Sequence, residues 1–314
     1  MLRTKCRLTL SLLILASASV AADASSNGDE YASYCKQRVR MSICMVSPMR
    51  RLLRRSDVLQ RRCLPLEEKF TASILDTYQR LPPVLQQRMC KLDRIFIERS
   101  FWASGYAHPR TNTIGLHQRM FNEQKALSDW ATWKEQLPFR VKDVAQLITA
   151  GQPIHLPRIM VNAPGGQVSS VFFIVVHELA HRIDMDRILT RSRDSQFNKI
   201  GWRLTKQYFQ SAHLPPSWTV PCFYRCDDRK LALPDIHNVY QSLKQGGFVS
   251  LYASRHPSED FAETMTYYVM SQQPDLEFEL HVGNTKVFDL KTLQASKLIQ
   301  AKFDYMRDLL AGNS

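Results

Sequence analysis

The sequence predicts an α+β fold, mainly helical and with a small mixed sheet. Three observations carry this reading. One long apolar run, VFFIVVHELAHRIDMDR at residues 171–187, fits a buried or half-buried helix. Further helical patterns precede and follow it. Between them lie short segments rich in aromatic or branched residues and bounded by Gly, Pro and Asn, which read as strands.

In chain order, residues 1–22 read as a secretory signal peptide. Arg3, Lys5 and Arg7 precede an apolar core from Leu8 to Val20, and small residues follow at Ala21, Ala22 and Ala24. Residues 23–80 are expected to form a disulfide-linked helical extension, and residues 81–314 the main domain. Helices are expected over 31–92, with Leu66 to Arg80 and Val84 to Leu92 separated by Pro82-Pro83. Within this segment MRRLLRRSDVLQRR carries six arginines and no aromatic residue, which fits a solvated helix face better than a nucleic-acid surface. Strands are expected at Ile95 to Ile97, Phe101 to Tyr106, Asn112 to Leu116 and Ile154 to Val161, with helix over 118–150. Ser169 or Ser170 can cap the apolar helix. Pro257-Ser258 opens another helix to about Met270, and a last one runs from Leu290 to Leu310.

The chain has 314 residues, 44% hydrophobic and 23% charged, which excludes a disordered or polytopic membrane protein. Its formal charge is +13, and losing residues 1–22 would remove three basic residues and leave +10. That charge allows contact with anionic envelope polymers, and no nucleic-acid partner is expected. Seven cysteines include Cys6 in the leader. The six that remain suit an exported, periplasmic or secreted protein with disulfides. Their clustering pairs Cys35, Cys44, Cys63 and Cys90 among themselves, and Cys222 with Cys226.

The chemistry is concentrated in His177-Glu178-Leu179-Ala180-His181. Helical positions i and i+4 share a face, so His177 and His181 can offer two imidazole nitrogens to one metal ion. Glu178, one position round, can act as general base on a water that zinc activates. The other histidines, at 108, 117, 155, 213, 237 and 281, read as surface or loop residues.

A catalytic zinc needs a third protein ligand. The HExxHxxGxxH pattern is excluded, because Asp184 and Arg187 stand at its diagnostic places. Glu259 and Glu263, four apart on one helical face, are candidates: one can bind metal while the other orients a ligating histidine. His256 is a third option. Asp184 is a further candidate to support a ligand, or else an ion-pair partner of Arg182 or Arg187.

HELAH, followed 78 residues later by EDFAE, resembles the gluzincin zinc metallopeptidases, in particular the catalytic domain of anthrax lethal factor and its bacterial relatives. The resemblance implies a zincin-like domain with one zinc per chain. It implies Glu259 as the third ligand and Glu263 behind it. Tyr252, seven residues before Glu259, would hydrogen-bond the developing oxyanion. It also implies that Asn112 to Leu116 is the edge strand beside which a peptide substrate lies. The expected activity is zinc-dependent endopeptidase hydrolysis of a peptide or protein. Alternatives are a zinc amidase acting on cell-wall peptides, or a basic envelope-binding protein with a non-catalytic zinc site.

Overall fold

The computed structural model describes residues 28–46, 62–99, 103–121, 127–140, 155–163, 168–205, 209–224 and 230–312. The leader, most of the arginine-rich run and Cys226 lie outside them.

Helix α1 spans 28–42 and leads directly into strand β1 (Ile43–Val46). The helical expectation for 31–92 is corrected here. Ile43-Cys44-Met45-Val46 is apolar on both faces, and all four residues are buried, which suits a covered parallel strand. Helices α2 (Glu68–Arg80) and α3 (Pro83–Cys90) follow as expected, with Pro83 at the first helical position of α3. Then come β2 (Arg94–Glu98), β3 (Gly105–Ala107) and β4 (Thr113–His117). These four strands form one sheet in the order β1-β2-β4-β3, in which β3 alone runs antiparallel to its neighbour. Cys35, Cys44, Cys63 and Cys90 do pair among themselves, as expected. Cys35–Cys90 ties α1 to the end of α3, and Cys44–Cys63 ties β1 to the segment before α2. Cys222 is also disulfide-bonded.

The sheet order corrects the edge-strand expectation. β4, which carries Thr113 to Leu116, is hydrogen-bonded on both sides, to β2 and to β3. Its polypeptide edges are therefore used up. The open edge on that side belongs to β3.

Next come helix α4 (Leu127–Gln136), β5 (Pro157–Asn162), the central helix α5 (Ser170–Arg187) and a short α6 (Gln196–Gly201). A two-stranded ribbon of β6 (Trp202–Leu204) and β7 (Phe209–Ser211) follows. Then come α7 (Ile236–Gln245) and α8 (Pro257–Ser271). A hairpin of β8 (Glu277–Val282) and β9 (Thr285–Asp289) adds to β5 as a second, antiparallel sheet. Helix α9 (Lys297–Leu310) closes the described chain, preceded by a 3-10 turn at Leu293–Ala295. The hairpin was not among the expected elements, although Gly283 takes φ 60° at its turn, where a residue without Cβ is favoured.

Helix α5 is the axis of the fold. Ser169 caps it by accepting a hydrogen bond from Phe172 N at 3.3 Å. From Val171 to Ala180 every side chain is buried, so the helix has no solvent face there. It contacts α8, α2, α3, α4, β3 and β4. Burying each large side chain, such as Phe172, Phe173, Ile174 or Leu179, contributes about 1.5–3 kcal/mol relative to exposure. This surplus lets the helix carry His177 and Glu178 into the interior.

Candidate metal centre

Helices α5 and α8 bring three donors together. His177 Nε2 lies 3.2 Å from His181 Nε2, 3.4 Å separates it from Glu259 Oε2, and His181 Nε2 lies 3.3 Å from the same oxygen. The two imidazoles are one helical turn apart on α5. Glu259 reaches them from the first turn of α8, which starts at Pro257 and is capped by the His256 side chain accepting from Ser258 N. His256 thus serves as a cap and does not join the donors.

Their chemistry fits a zinc ion. Two imidazole nitrogens and one carboxylate oxygen are a donor set of the catalytic zinc type. Glu259 Oε2 is buried and accepts no hydrogen bond among the described residues, so a polar atom faces the centre uncompensated. The field around His177 points the same way. Burial disfavours its charged form, yet Glu259 and Glu263 outweigh burial and lift its pKa to about 10. Surroundings that attract a proton to that nitrogen also attract a metal cation. For Glu259, burial works against ionisation. The positive fields of His181 and His177 outweigh it and hold the carboxyl well below the usual range.

Glu263 takes a different position. Its Oε1 lies 3.0 Å from His177 Nδ1 and 2.6 Å from Lys134 Nζ, and its Oε2 accepts from Ser250 Oγ at 2.6 Å. Both oxygens are engaged away from the centre. The contact with Nδ1 is one of charge and distance, since that nitrogen makes no hydrogen bond among the described residues. Burial pushes the Glu263 pKa up, but the Lys134 charge and His177 bring it down to about 2.

Lys134, on α4, was not among the residues read from the sequence. Its Nζ also lies over the rings of Tyr252, Phe173 and Trp130, at 4.6, 4.9 and 5.4 Å from their centroids. Lys134 stands 43 residues before His177 with no local pattern, so only its surroundings in space identify it.

Asp184, expected as a possible support for a ligand, is placed elsewhere. It lies two helical turns beyond His177, about 10 Å along the axis. Its carboxylate accepts from Thr190 N and from Thr190 Oγ1, both at 2.7 Å. These bonds fix the turn that ends α5, where Ile188 takes φ 56°. Such a conformation costs a side chain with Cβ about 1–2 kcal/mol. His108, expected at the surface, is buried, with its carbonyl accepting from Arg182 Nη1 and its Nδ1 3.0 Å from Thr111 Oγ1.

Glu178 is buried beside the donors. Burial raises its pKa, against the lowering fields of His177 and His181. It faces a small open cleft of about 50 Å³, lined among others by Gly105, Trp130, Trp133, Phe173, Tyr224 and Tyr252. Edge strand β3 runs across this cleft at close range. A Cβ on Gly105 would meet Ile174 Cγ2 at 2.5 Å and Glu178 Oε1 at 2.6 Å. Tyr252 Oη lies 3.5 Å from Glu259 Oε1, and the Tyr252 ring is 6.1 Å from that of His177. Burial, reinforced by Glu259, raises the Tyr252 pKa, so the hydroxyl stays protonated.

Residues 141–312, more than half of the chain, match a family model described as "Putative zinc-binding metallo-peptidase". Comparison with the curated proteins and with the solved structures finds no match. The matched span contains the paired histidines of α5 and the glutamate of α8 that meet in the fold. The chain belongs to this zinc-binding metallo-peptidase family.

Proposed function

We propose that this protein is an exported, zincin-like endopeptidase of the gluzincin kind, similar to the anthrax lethal factor catalytic domain. It would hydrolyse peptide bonds with one zinc per chain. The observation that carries the reading is the convergence of His177 Nε2, His181 Nε2 and Glu259 Oε2 beside buried Glu178 at the end of an open cleft. These three residues would hold the metal. A zinc ion there supplies the Lewis acidity that amide hydrolysis requires.

The chain's own residues do the rest. Glu178 takes a proton from the attacking water and delivers it to the leaving amine. Its raised pKa suits both halves of that exchange. Tyr252, held protonated, donates a hydrogen bond to the oxygen on which negative charge develops. Glu263 and Lys134 fix the His177 ring. The open edge of β3 lies over Glu178, so an extended substrate adds as a strand beside Gly105 to Ala107 instead of beside β4. In this reading residues 81–314 form the peptidase domain and residues 23–80 an extension clamped by the Cys35–Cys90 bridge. The disulfides suit export to the periplasm or beyond.

Metal analysis of the purified chain, paired with peptide-library cleavage by wild type and Glu178→Gln, tests the proposal. The expected result is one zinc in both proteins, with hydrolysis at least about 100-fold slower in the variant. Equal cleavage by the two proteins, or a chain that takes up no zinc, would overturn it.

A further inference from the structure

The cleft beside Glu178 has an uneven charge pattern. Lys134 in its wall is neutralised by Glu263. Arg119 and Arg255 are different. Both are half-buried, and each lies against a ring of the cleft region. Arg119 Cζ is 5.2 Å from the Trp133 centroid. Arg255 Cζ is 5.0 Å from that of Tyr252 and 5.5 Å from that of Phe223. Neither arginine has a carboxylate partner among the described residues. Trp133 and Tyr252 both line the cleft. The arginines come from different parts of the chain, Arg119 from the 3-10 turn after β4 and Arg255 from the turn before α8. Their fields meet at Tyr224, whose pKa burial raises and both arginines lower, with Glu259 and Glu263 acting more weakly in the opposite direction.

Trp130, Trp133, Phe173 and Ile174 give the cleft an apolar wall against which a hydrophobic side chain can lie. A guanidinium stacked on a ring keeps its donor edge free for a planar carboxylate. Water is already partly displaced from both arginines, so a carboxylate gains more there than on an open surface.

We propose that the cleft selects peptides in which a large apolar residue is flanked by carboxylates, the apolar side chain lying between Trp130, Trp133 and Phe173, and the carboxylates on Arg119 and Arg255. The proposal rests on the peptide-binding reading of the cleft and names the substrate class. The carboxylate can come from acidic side chains or from a chain terminus.

Titration calorimetry of the full-length Glu178→Gln chain, which does not consume its ligand, separates these cases. Three octapeptides share a central Phe-Leu pair. One is N-acetylated and C-amidated with Glu two positions away on each side. The second replaces both Glu by Gln, and the third is the Gln peptide with a free C-terminal acid. At low salt the Glu peptide is expected to bind roughly fivefold or more tighter than the Gln peptide, with the gap narrowing at high salt. Arg119→Gln and Arg255→Gln, added singly to this chain, should each shrink the gap while affinity for the Gln peptide holds. That retained affinity shows that the variants are folded. Tighter binding of the free-acid peptide supports the proposal with a terminal carboxylate as the source. Equal binding of all three peptides, no binding of any, or a gap that survives both substitutions would overturn it. Failure of the wild-type chain to cleave these peptides would count against the hydrolytic reading alone and leave the binding comparison intact.

Discussion

Lys134 Nζ lies 2.6 Å from Glu263 Oε1, with the glutamate side chain fully buried and the lysine nearly so. This pair joins α4 to α8 behind the His177 ring. It resolves a charge problem beside the centre, because a carboxylate placed in the interior needs a cation of its own. The lysine is held in turn by three aromatic rings that also border the cleft.

Lys134→Met should therefore do two things. It leaves Glu263 buried without its cation, at a cost of about 3–5 kcal/mol in urea unfolding of the metal-free chain. It also loosens His177, so zinc affinity measured by chelator competition should fall about 10- to 100-fold. Unchanged zinc affinity in a folded Lys134→Met protein would show that the pair supports the fold alone.

Tyr252→Phe removes a hydroxyl and keeps the ring that packs near Phe223 and His177. The expected loss is about 100- to 1000-fold in kcat, with KM and zinc content close to wild type. If kcat stays within a factor of two, Tyr252 is a packing residue.

Gly105→Ala places a methyl group where Ile174 and Glu178 already stand. Either β3 or the Glu178 side chain must shift, at roughly 1–3 kcal/mol for the overpacked contact. Activity should fall by about tenfold or more while zinc content is retained. A variant with wild-type kcat/KM would mean that β3 can move away from Glu178 without consequence.

The stability of the metal-free chain should depend on Glu135. This buried residue accepts a hydrogen bond from Tyr240 Oη at 2.9 Å, and burial raises its pKa from 4.5 to about 7. The folded state therefore holds a proton that the unfolded state releases between pH 4.5 and 7. The stabilisation from this group is complete below pH 4.5 and is lost as pH rises to 7, by about 3 kcal/mol. Glu135→Gln cannot titrate. Urea midpoints collected from pH 4.5 to 8 should show that share of the decline in wild type and not in the variant. Parallel curves would assign the decline to other groups.

Much of the centre could be read from sequence because it is local. His177, Glu178 and His181 occupy one turn of one helix, and helical geometry alone aligns the two imidazoles. The apolar run before them announces burial. The spacing of Glu259 and Glu263 on a second helix is local too, which is why the pair could be identified from spacing while the choice of Glu259 rested on the family resemblance. The β8–β9 hairpin carries a sequence signal in the alternating EFELHV and the Gly283-Asn284 turn. The strand at Ile43–Val46 gave no alternation, because it is buried on both faces and its apolar run resembles a buried helix.

The amino-acid sequence by itself determined the donor types, the glutamate beside them and the helix that carries them, since these depend on residue identity and a 3.6-residue repeat. Tertiary structure alone decided the rest. It set Glu259 at the two imidazoles and Glu263 behind one of them, because only the packing of α8 on α5 fixes which carboxylate of a helical pair points to the nitrogens. It moved Asp184 to a turn and the open strand edge to β3. It brought Lys134 and Gly105 to the cleft, and Arg119 and Arg255 onto rings that line it, from segments with no shared pattern, because through-space charge and close contact leave no periodic trace along a chain.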